Sequence, residues 1–182
     1  MARNHTLVFI DGSHYDRLRT ALETPLDLRK LVDVAVNGRA VDQALFYRDR
    51  RDEGEEQRLK KLFDWLERNG FVVKSRRHEK DEARERYGSN LIDLAIDALE
   101  LSQEGDQVFI VAGDKKLLPL CFALKGHGVA VTLVSTIEAP ATIAPPDVLL
   151  DAVDEFVDIA DFLNDVSADP PRQKEDQGLP RE

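Results

Sequence analysis

The sequence predicts an α/β domain of three layers, in which a mainly parallel β-sheet lies between helices on both of its faces. Short, continuously apolar segments with the length of buried strands alternate along the chain with longer segments that have the periodicity of helices. Parallel strands need a crossover connection, usually a helix, and the alternation supplies one between successive strands. These two observations together favour an α/β layer architecture with a mainly parallel sheet.

Six segments have the character of strands. The first is too short and too continuously apolar to form an amphipathic helix, which indicates a strand that is buried on both faces. The last is predicted as an edge strand. The predicted strands are residues 6–10, 41–47, 71–75, 107–112, 129–134 and 155–159.

The segments between the strands predict helices. Apolar residues recur at helical spacing from about residue 15 to residue 36, with a break at Thr24–Pro25, because the residue before a proline disfavours helix. A second helix has acids in its first turn and Gly70 as a stop after its last. The predicted helices after the first are residues 52–69, 90–104, 116–125 and, as a short one, 147–153.

Composition limits the environment in which the protein works. The 182 residues include one cysteine, Cys121, so an internal disulfide is impossible and a reducing compartment fits. No apolar run approaches the roughly 20 residues that span a bilayer, and the first residues run straight into a predicted strand. We therefore expect a cytoplasmic protein without a membrane association.

Charge is distributed unevenly along the chain. The net charge is −10, which by itself argues against a nucleic-acid partner, but residues 147–182 contain eleven acids and only three bases. We therefore expect one domain over residues 5–160 and an acidic, disordered tail over residues 167–182. Within the nearly neutral domain lie two basic clusters, which are Arg48, Arg50 and Arg51, and Lys74, Arg76, Arg77 and His78.

Four aspartates are expected at one edge of the predicted sheet. Asp11 and Asp114 follow apolar strands, and Asp93 falls in the first turn of a predicted helix that starts at the same edge. If the strand order is 3-2-1-4-5, the first and fourth strands flank the point where the order reverses, which is where open parallel sheets bind ligands. Asp97 lies one helical turn beyond Asp93, on the same face.

Converging carboxylates favour a hard divalent cation. They would raise each other's pKa unless a cation neutralised them, and Mg²⁺ or Mn²⁺ is the natural occupant. Such a metal polarises a phosphoryl oxygen and helps to generate the attacking hydroxide, which points to phosphodiester hydrolysis. Taken alone, Asp93 and Asp97 would more readily be read as the solvated stripe of their helix. Asp11 alone could belong to an ordinary Asp-Gly-Ser turn.

Three motifs in order resemble the NYN family, the PIN-like ribonuclease fold that includes the LabA-like proteins. They are residues 8–13 (VFIDGS), 92–99 (IDLAIDAL) and 111–114 (VAGD), and the resemblance covers about residues 5–160. It implies a metal-dependent endoribonuclease that uses Mg²⁺ or Mn²⁺. Asp11, Asp93 and Asp114 would then be metal-binding acids, Asp97 a supporting acid, and Ser13 the hydroxyl that orients ligands or water.

The sequence departs from the NYN pattern at three positions. His14 stands where the family often has Asn, Asn90 where it often has Lys, and Lys116 where a further acid is common. Lys116 could replace a cation, contact a phosphate or be a surface lysine, and His14 could serve as a ligand or proton carrier with a pKa near neutrality. Because position 116 lacks an acid, the sequence does not decide whether the site would bind one metal ion or two.

RNA would approach over the carboxyl edge of the sheet, where basic side chains in the loops attract its phosphates. The expected contacts, each of which could also be an ordinary solvated charge, are Arg48, Arg50, Arg76, Arg77, Lys116 and His14. Specificity could come from a protein partner or from homo-oligomerisation. The alternative to a ribonuclease is a catalytically inactive PIN-like domain that binds RNA or protein. A phosphatase with Asp11 as nucleophile ranks lower, since Ser13 replaces the second acid.

Overall fold

A six-stranded, all-parallel sheet forms the centre of the molecule in the computed structural model, which describes residues 4–78 and 90–169. The strand order is β3-β2-β1-β4-β5-β6. The strands are β1 (Thr6–Asp11), β2 (Gln43–Tyr47), β3 (Phe71–Lys74), β4 (Gln107–Val111), β5 (Ala130–Ser135) and β6 (Glu155–Asp158). The conditional order 3-2-1-4-5 is therefore confirmed, with the predicted edge strand added beyond β5.

Helices cover both faces of this sheet. They are α1 (Gly12–Ala21), α2 (Leu28–Val36), α3 (Glu53–Arg68), α4 (Leu91–Leu101), α5 (Leu118–Gly126), α6 (Asp147–Leu150) and α7 (Leu163–Val166). One apolar core joins α4, α5 and α6 to the sheet, and a second joins α1, α2, α3 and α7 to the opposite face. The three-layer α/β prediction is confirmed.

Strand β1 shows why both faces need a helical layer. Leu7 and Phe9 enter the core on the α4 side, whereas Val8 and Ile10 enter the core on the α2 side. All four are at most 2% exposed. Successive side chains of a strand point to opposite faces, so a continuously apolar strand is stable only when both faces are covered.

The predicted helix boundaries needed corrections. The break at Thr24–Pro25 is present between α1 and α2, but α4 ends at Leu101 and not at residue 104. Asp106 accounts for the earlier end, because its buried carboxylate accepts hydrogen bonds from the amides of His5 (2.7 Å) and Gln103 (2.9 Å). This capping holds residues 102–106 as a turn between α4 and β4.

The chain after β6 continues as structure that was not predicted. A 3₁₀ turn (Ile159–Phe162) leads into α7, and Val166 is buried against α2. Beyond it, Ser167 pairs with Leu26, and the Ala168 amide donates to the Pro25 carbonyl at 2.7 Å. The tail predicted from residue 167 therefore starts with residues that contact the domain, and its remainder, residues 170–182, lies outside the described residues.

Candidate active site

Asp11 occupies the point at which the strand order reverses. It is the last residue of β1, it lies beside Tyr47 of β2, and the preceding Ile10 lies beside Val111 of β4. The Asp11 side chain also caps α1, because its Oδ1 accepts from the Ser13 amide at 3.0 Å. This is the location at which open parallel sheets bind ligands.

Burial makes the Asp11 carboxylate costly to ionise. The residue is 2% exposed, and this desolvation raises its pKa. Hydrogen bonds from the His14 and Ser13 amides and from the Asn90 side chain, together with the charge of Arg17, oppose the rise in pKa. A buried acid with a raised pKa at a ligand-binding edge is a candidate for a functional group.

Glycine is needed immediately after Asp11. A Cβ on Gly12 would lie 2.6 Å from the Phe46 ring and 2.8 Å from the Tyr47 carbonyl oxygen. The absence of a side chain therefore lets α1 start directly against β2, and this close approach fixes Asp11 at the edge.

Asn90 connects the same edge to α4. It is 3% exposed, it donates to the Tyr47 carbonyl at 2.8 Å, and it hydrogen-bonds the Asp11 side chain. Sequence reasoning noted Asn90 only as a departure from the family pattern and missed this bridging position. Its place as the last residue before a helix that carries two of the four aspartates was the available signal.

Asp93 and Asp97 lie on α4 beside β2 and β3, as their spacing predicts, but each already has a cationic partner. Asp93 pairs with Arg76 at 2.8 Å, and Asp97 pairs with Lys74 at 3.4 Å. The Tyr47 hydroxyl donates to Asp97 at 2.7 Å. Burial and the acids Asp97 and Asp93 both raise the pKa of Tyr47, so this hydroxyl keeps its proton.

Asp114 resembles Asp11 in its local geometry. It caps a 3₁₀ turn (Lys115–Leu117), and its Oδ1 accepts from the Lys116 amide at 2.9 Å. Asp114 is half-buried, whereas the Lys116 side chain next to it is exposed.

The four acids do not form a ready-made metal site. Within residues 4–78 and 90–169, no three side chains of His, Cys, Asp or Glu are grouped so that they could hold a metal ion. Asp93 and Asp97 instead lie against basic side chains from the end of β3 and the residues that follow it. The described side chains thus do not fit a three-carboxylate metal site in this arrangement.

His14 lies behind the site and not at its surface. It is fully buried, its Nε2 lies 2.9 Å from the Ser135 hydroxyl, and its Nδ1 has no hydrogen-bond partner in the described structure. Burial, with a smaller contribution from Arg17, lowers its pKa to about 3. The expectation of a pKa near neutrality is therefore wrong, and a buried neutral imidazole is poorly suited to contact RNA.

The two basic clusters form one structure at the carboxyl edge, which we call the basic ribbon (residues 48–51 and 74–78). Parallel pairing of β2 and β3 continues past their ends, because the Arg50 amide donates to the Arg76 carbonyl at 2.8 Å and the His78 amide to the Arg50 carbonyl at 2.9 Å. Several arginines of the ribbon are paired with acids, which include Asp16 and Glu55 for Arg48, Glu56 for Arg50 and Glu53 for Arg77.

Arg48 is the member of the ribbon that contacts Ser13, two residues after Asp11. Its side chain is 13% exposed, and its Nη1 donates to the Ser13 hydroxyl at 3.0 Å. Glu55 accepts from Arg48 and from Arg51, which together with that burial holds the guanidinium in place.

Comparison with known proteins agrees with this architecture. The profile of the NYN domain matches residues 5–161. The crystal structure of a protein of unknown function from Vibrio parahaemolyticus is similar, with a TM-score of 0.65 and 18% sequence identity. The similarity covers 92% of this chain and 100% of that one, and at this identity it establishes the fold alone. No curated protein sequence matches. In the described part of the chain, no helix is both long and apolar enough to span a membrane. With the NYN profile extending over nearly the whole domain, the chain belongs to the NYN domain family, with its PIN-like nuclease fold.

Proposed function

We propose that the protein is an endoribonuclease that hydrolyses RNA phosphodiester bonds at the carboxyl edge of the sheet, with Mg²⁺ or Mn²⁺ as its cofactor. Membership of the NYN family supports a nuclease domain. The observation that carries the proposal is the buried Asp11 carboxylate at the strand-reversal point, which Asn90 and the start of α1 hold in place. A domain whose fold alone mattered would gain stability from a neutral residue there.

The proposed site residues keep the roles that the family resemblance implies. Asp11, Asp93 and Asp114 are the acids that the family resemblance would assign to a metal, although no three such side chains are grouped to hold one among residues 4–78 and 90–169. Asp97 is proposed as a supporting acid and Ser13 as the hydroxyl that orients water or ligand. The hydrogen bond from Arg48 to Ser13 supports a positioning role for Arg48, which adds to its predicted contact with RNA.

RNA binding is proposed for the basic ribbon and for Lys116. Arg76 and Arg77 are both more than half exposed, so phosphates can reach them even though each lies near an acid. Ion pairs at such positions are weak, and a polyanion competes effectively for the guanidinium group. His14 is not included in this surface because it is buried.

The ion pairs also support a second candidate, a NYN domain that binds RNA without cleaving it. Arg76 and Lys74 neutralise Asp93 and Asp97, and Lys116 stands beside Asp114. A protein that had lost the metal would need a neutralising group of this kind.

Incubation of the purified protein with labelled single-stranded RNA separates the two candidates. We expect cleavage with Mn²⁺ or Mg²⁺ and intact RNA with EDTA, as read on a denaturing gel. RNA that is bound, by gel shift, but never cleaved with either metal would favour the binding module.

A further inference from the structure

The solvent-facing surface of α4 and α5 is partly apolar. Eight large apolar side chains are exposed in the described part of the chain, and four of them lie on these two helices. The most exposed of the four are Ile92 (63%), Ile96 (49%) and Phe122 (60%), which we call the outer patch. Single exposed apolar side chains are normal on a protein surface, but a group of them on neighbouring elements indicates an interaction site.

The outer patch extends over two helices that lie side by side. Ile92 and Ile96 are four residues apart, so they are neighbours on the surface of α4. Helices α4 and α5 contact each other, and both belong to the apolar core on the same face of the sheet. The three side chains of the outer patch therefore lie on the outside of one helical layer.

Charges of opposite sign border the outer patch. Asp97 pairs with Lys74 of β3, which places the acidic side of α4 away from α5. Lys125 pairs with Asp154, which lies just before β6, so Lys125 is on the side of α5 away from α4. The outer patch thus lies between an acidic border towards β3 and a basic border towards β6.

The two helices also differ in total charge. Residues 91–104 contain four acids and no base, whereas residues 115–127 contain three lysines and no acid. Several of these groups are paired within the domain, but Glu100 and Lys115 are exposed and form no ion pair with another described residue. An acidic helix and a basic helix beside one apolar patch make this surface complementary to a copy of itself.

We propose that the outer patch is the interface of a symmetric dimer of this chain, in which α4 of one copy packs against α5 of its partner. A two-fold axis parallel to the helices brings the acidic α4 onto the basic α5 in both halves of the interface, with the apolar side chains between them. A two-fold axis perpendicular to the helices would pack α4 against α4, and this juxtaposition of like charges costs affinity. Charge therefore selects the first arrangement.

The rest of the chain supplies little apolar surface that could cover the outer patch instead. The three segments outside the described ranges contain one large apolar residue each apart from proline, namely Met1, Tyr87 and Leu179. A second copy supplies three exposed apolar side chains on one rigid helical layer. Burial of apolar surface on both sides is what drives most protein association, so the second copy is the better occupant.

The proposed axis also sets the direction of the carboxyl edges. Helix α4 begins beside the end of β2, and α5 follows the end of β4, so both helices start at the carboxyl edge. Rotation about an axis parallel to the helices leaves their direction unchanged, and the carboxyl edges of both copies then lie on the same side of the dimer. This inference goes beyond the proposed function and does not depend on it, because the outer patch contains none of the proposed site residues.

Sedimentation velocity of the full chain, at concentrations from micromolar to submillimolar, tests the association itself. The exposed face of two short helices is at the low end of interface sizes, so we expect a weak, reversible dimer. The weight-average mass should rise with concentration from the monomer mass of 20.5 kDa towards twice that value. A chain that stays monomeric at every concentration would overturn the proposal.

Substitution within the outer patch tests where the copies meet. We expect Phe122→Ser and Ile96→Ser each to raise the dimer dissociation constant at least about tenfold, since each change removes an apolar contact from both halves of the interface. Ile137→Ser is the matched control, because Ile137 is 59% exposed but follows β5, outside both helices. Circular dichroism checks that the variants fold. Dissociation constants equal to that of the wild type for both patch variants would refute this interface.

Charge reversal tests how the helices are paired. We expect Glu100→Lys to weaken the dimer about three- to tenfold, because it places a positive charge opposite the basic α5 of the partner twice in the symmetric interface. Asp33→Lys makes the same change in net charge at an exposed position of α2, on the other face of the sheet, and should not weaken the dimer. Equal dissociation constants for these two variants would contradict the pairing of α4 with α5. Tighter association of Glu100→Lys would show that α4 packs against α4, which also overturns it.

Discussion

At the scale of single residues, the site contains titratable groups that are buried away from water, where their charged forms are disfavoured. Asp11 is buried with a raised pKa, and its neighbour His14 is buried with a pKa lowered to about 3. Burial disfavours the charged form of both groups, so the two shifts have one cause and opposite signs. Each shift has a consequence for stability that can be measured.

Replacement of Asp11 by Asn should stabilise the fold at neutral pH. The raised pKa means that ionisation of Asp11 costs the folded state free energy above the folded-state pKa, whereas Asn keeps an oxygen for the Ser13 amide without a charge. We expect an increase in the free energy of unfolding on the order of 1 kcal/mol at pH 7. The gain should vanish below the ordinary carboxyl pKa of 3.8, where Asp11 is protonated in both states. Urea unfolding at both pH values measures this, and a less stable variant at pH 7 would contradict it.

His14 should make the protein less stable as the pH falls. The unfolded chain binds a proton near pH 6.5 and the folded chain only near pH 3, so the unfolded state is favoured progressively between these values. The expected contribution is about 1.4 kcal/mol per pH unit within that window. Unfolding curves of the wild-type protein and of His14→Gln would show it as a steeper loss of stability in the wild type. Equal slopes would mean that His14 is protonated in the fold.

At the scale of the elements, the sequence predicted much of the fold because burial of both faces of the sheet produces recognisable patterns of apolar residues. Continuously apolar runs such as residues 7–10 indicate burial on both sides, and the connecting segments have helical periodicity. The early end of α4 was not predictable from periodicity, because it depends on the Asp106 carboxylate accepting from the nearby Gln103 amide and from the distant His5 amide. Helix α7 was missed because its buried face depends on contact with α2.

The site could be predicted less completely than the fold. The strand ends place Asp11 and Asp114 from local sequence, and the helical spacing places Asp93 and Asp97 on one face. The basic partners of Asp93 and Asp97 depend on how far β2 and β3 remain paired beyond their ends. This continued pairing brings Lys74 and Arg76 against α4. Such a pairing between distant segments has no periodic signature in the sequence.

Gly113, just after β4, is in close contact with α1 and with the loop that contains Ile143. A Cβ at this position would lie 2.5 Å from Cε1 of His14 and 2.7 Å from the Ile143 carbonyl oxygen. We expect Gly113→Ala to destabilise the fold by about 1–3 kcal/mol, since the end of β4 must move away from α1. Gly126→Ala at the end of α5 is the control, because its Cβ meets nothing within 4 Å. Urea unfolding compares the two, and equal stability would contradict the contact.

At the scale of the whole molecule, charge is separated across the sheet. The basic ribbon extends β2 and β3 on one side of the sheet, whereas residues 147–162, which lead into and out of the edge strand β6 on the other side, contain six acids and no base. Some of these acids are structural, such as Asp154, which accepts from the Val131 amide at 2.8 Å. The acidity that the sequence suggested for a tail thus belongs largely to the folded domain, on the side of the sheet away from the ribbon.

This charge separation predicts where RNA binds. We expect Arg77→Gln to weaken binding of single-stranded RNA and to lower the slope of log K against log salt by about 0.7, the value for one phosphate contact on a single strand. Asp151→Asn, at an exposed position on the β6 side, should leave that slope unchanged. Anisotropy titrations at several salt concentrations provide both numbers. A larger change for Asp151→Asn would place RNA on the wrong side of the molecule.

The initial rate of RNA cleavage with Mn²⁺, compared between the wild-type protein and Asp11→Asn, tests the central claim most directly. Asp33→Asn, at an exposed position of α2 away from the site, is the matched control. We predict that Asp11→Asn lowers the rate at least about 100-fold, as expected for loss of a group that stabilises the transition state, while Asp33→Asn keeps the wild-type rate. Equal rates for wild type and Asp11→Asn would show that the carboxyl edge around Asp11 is not the site of cleavage.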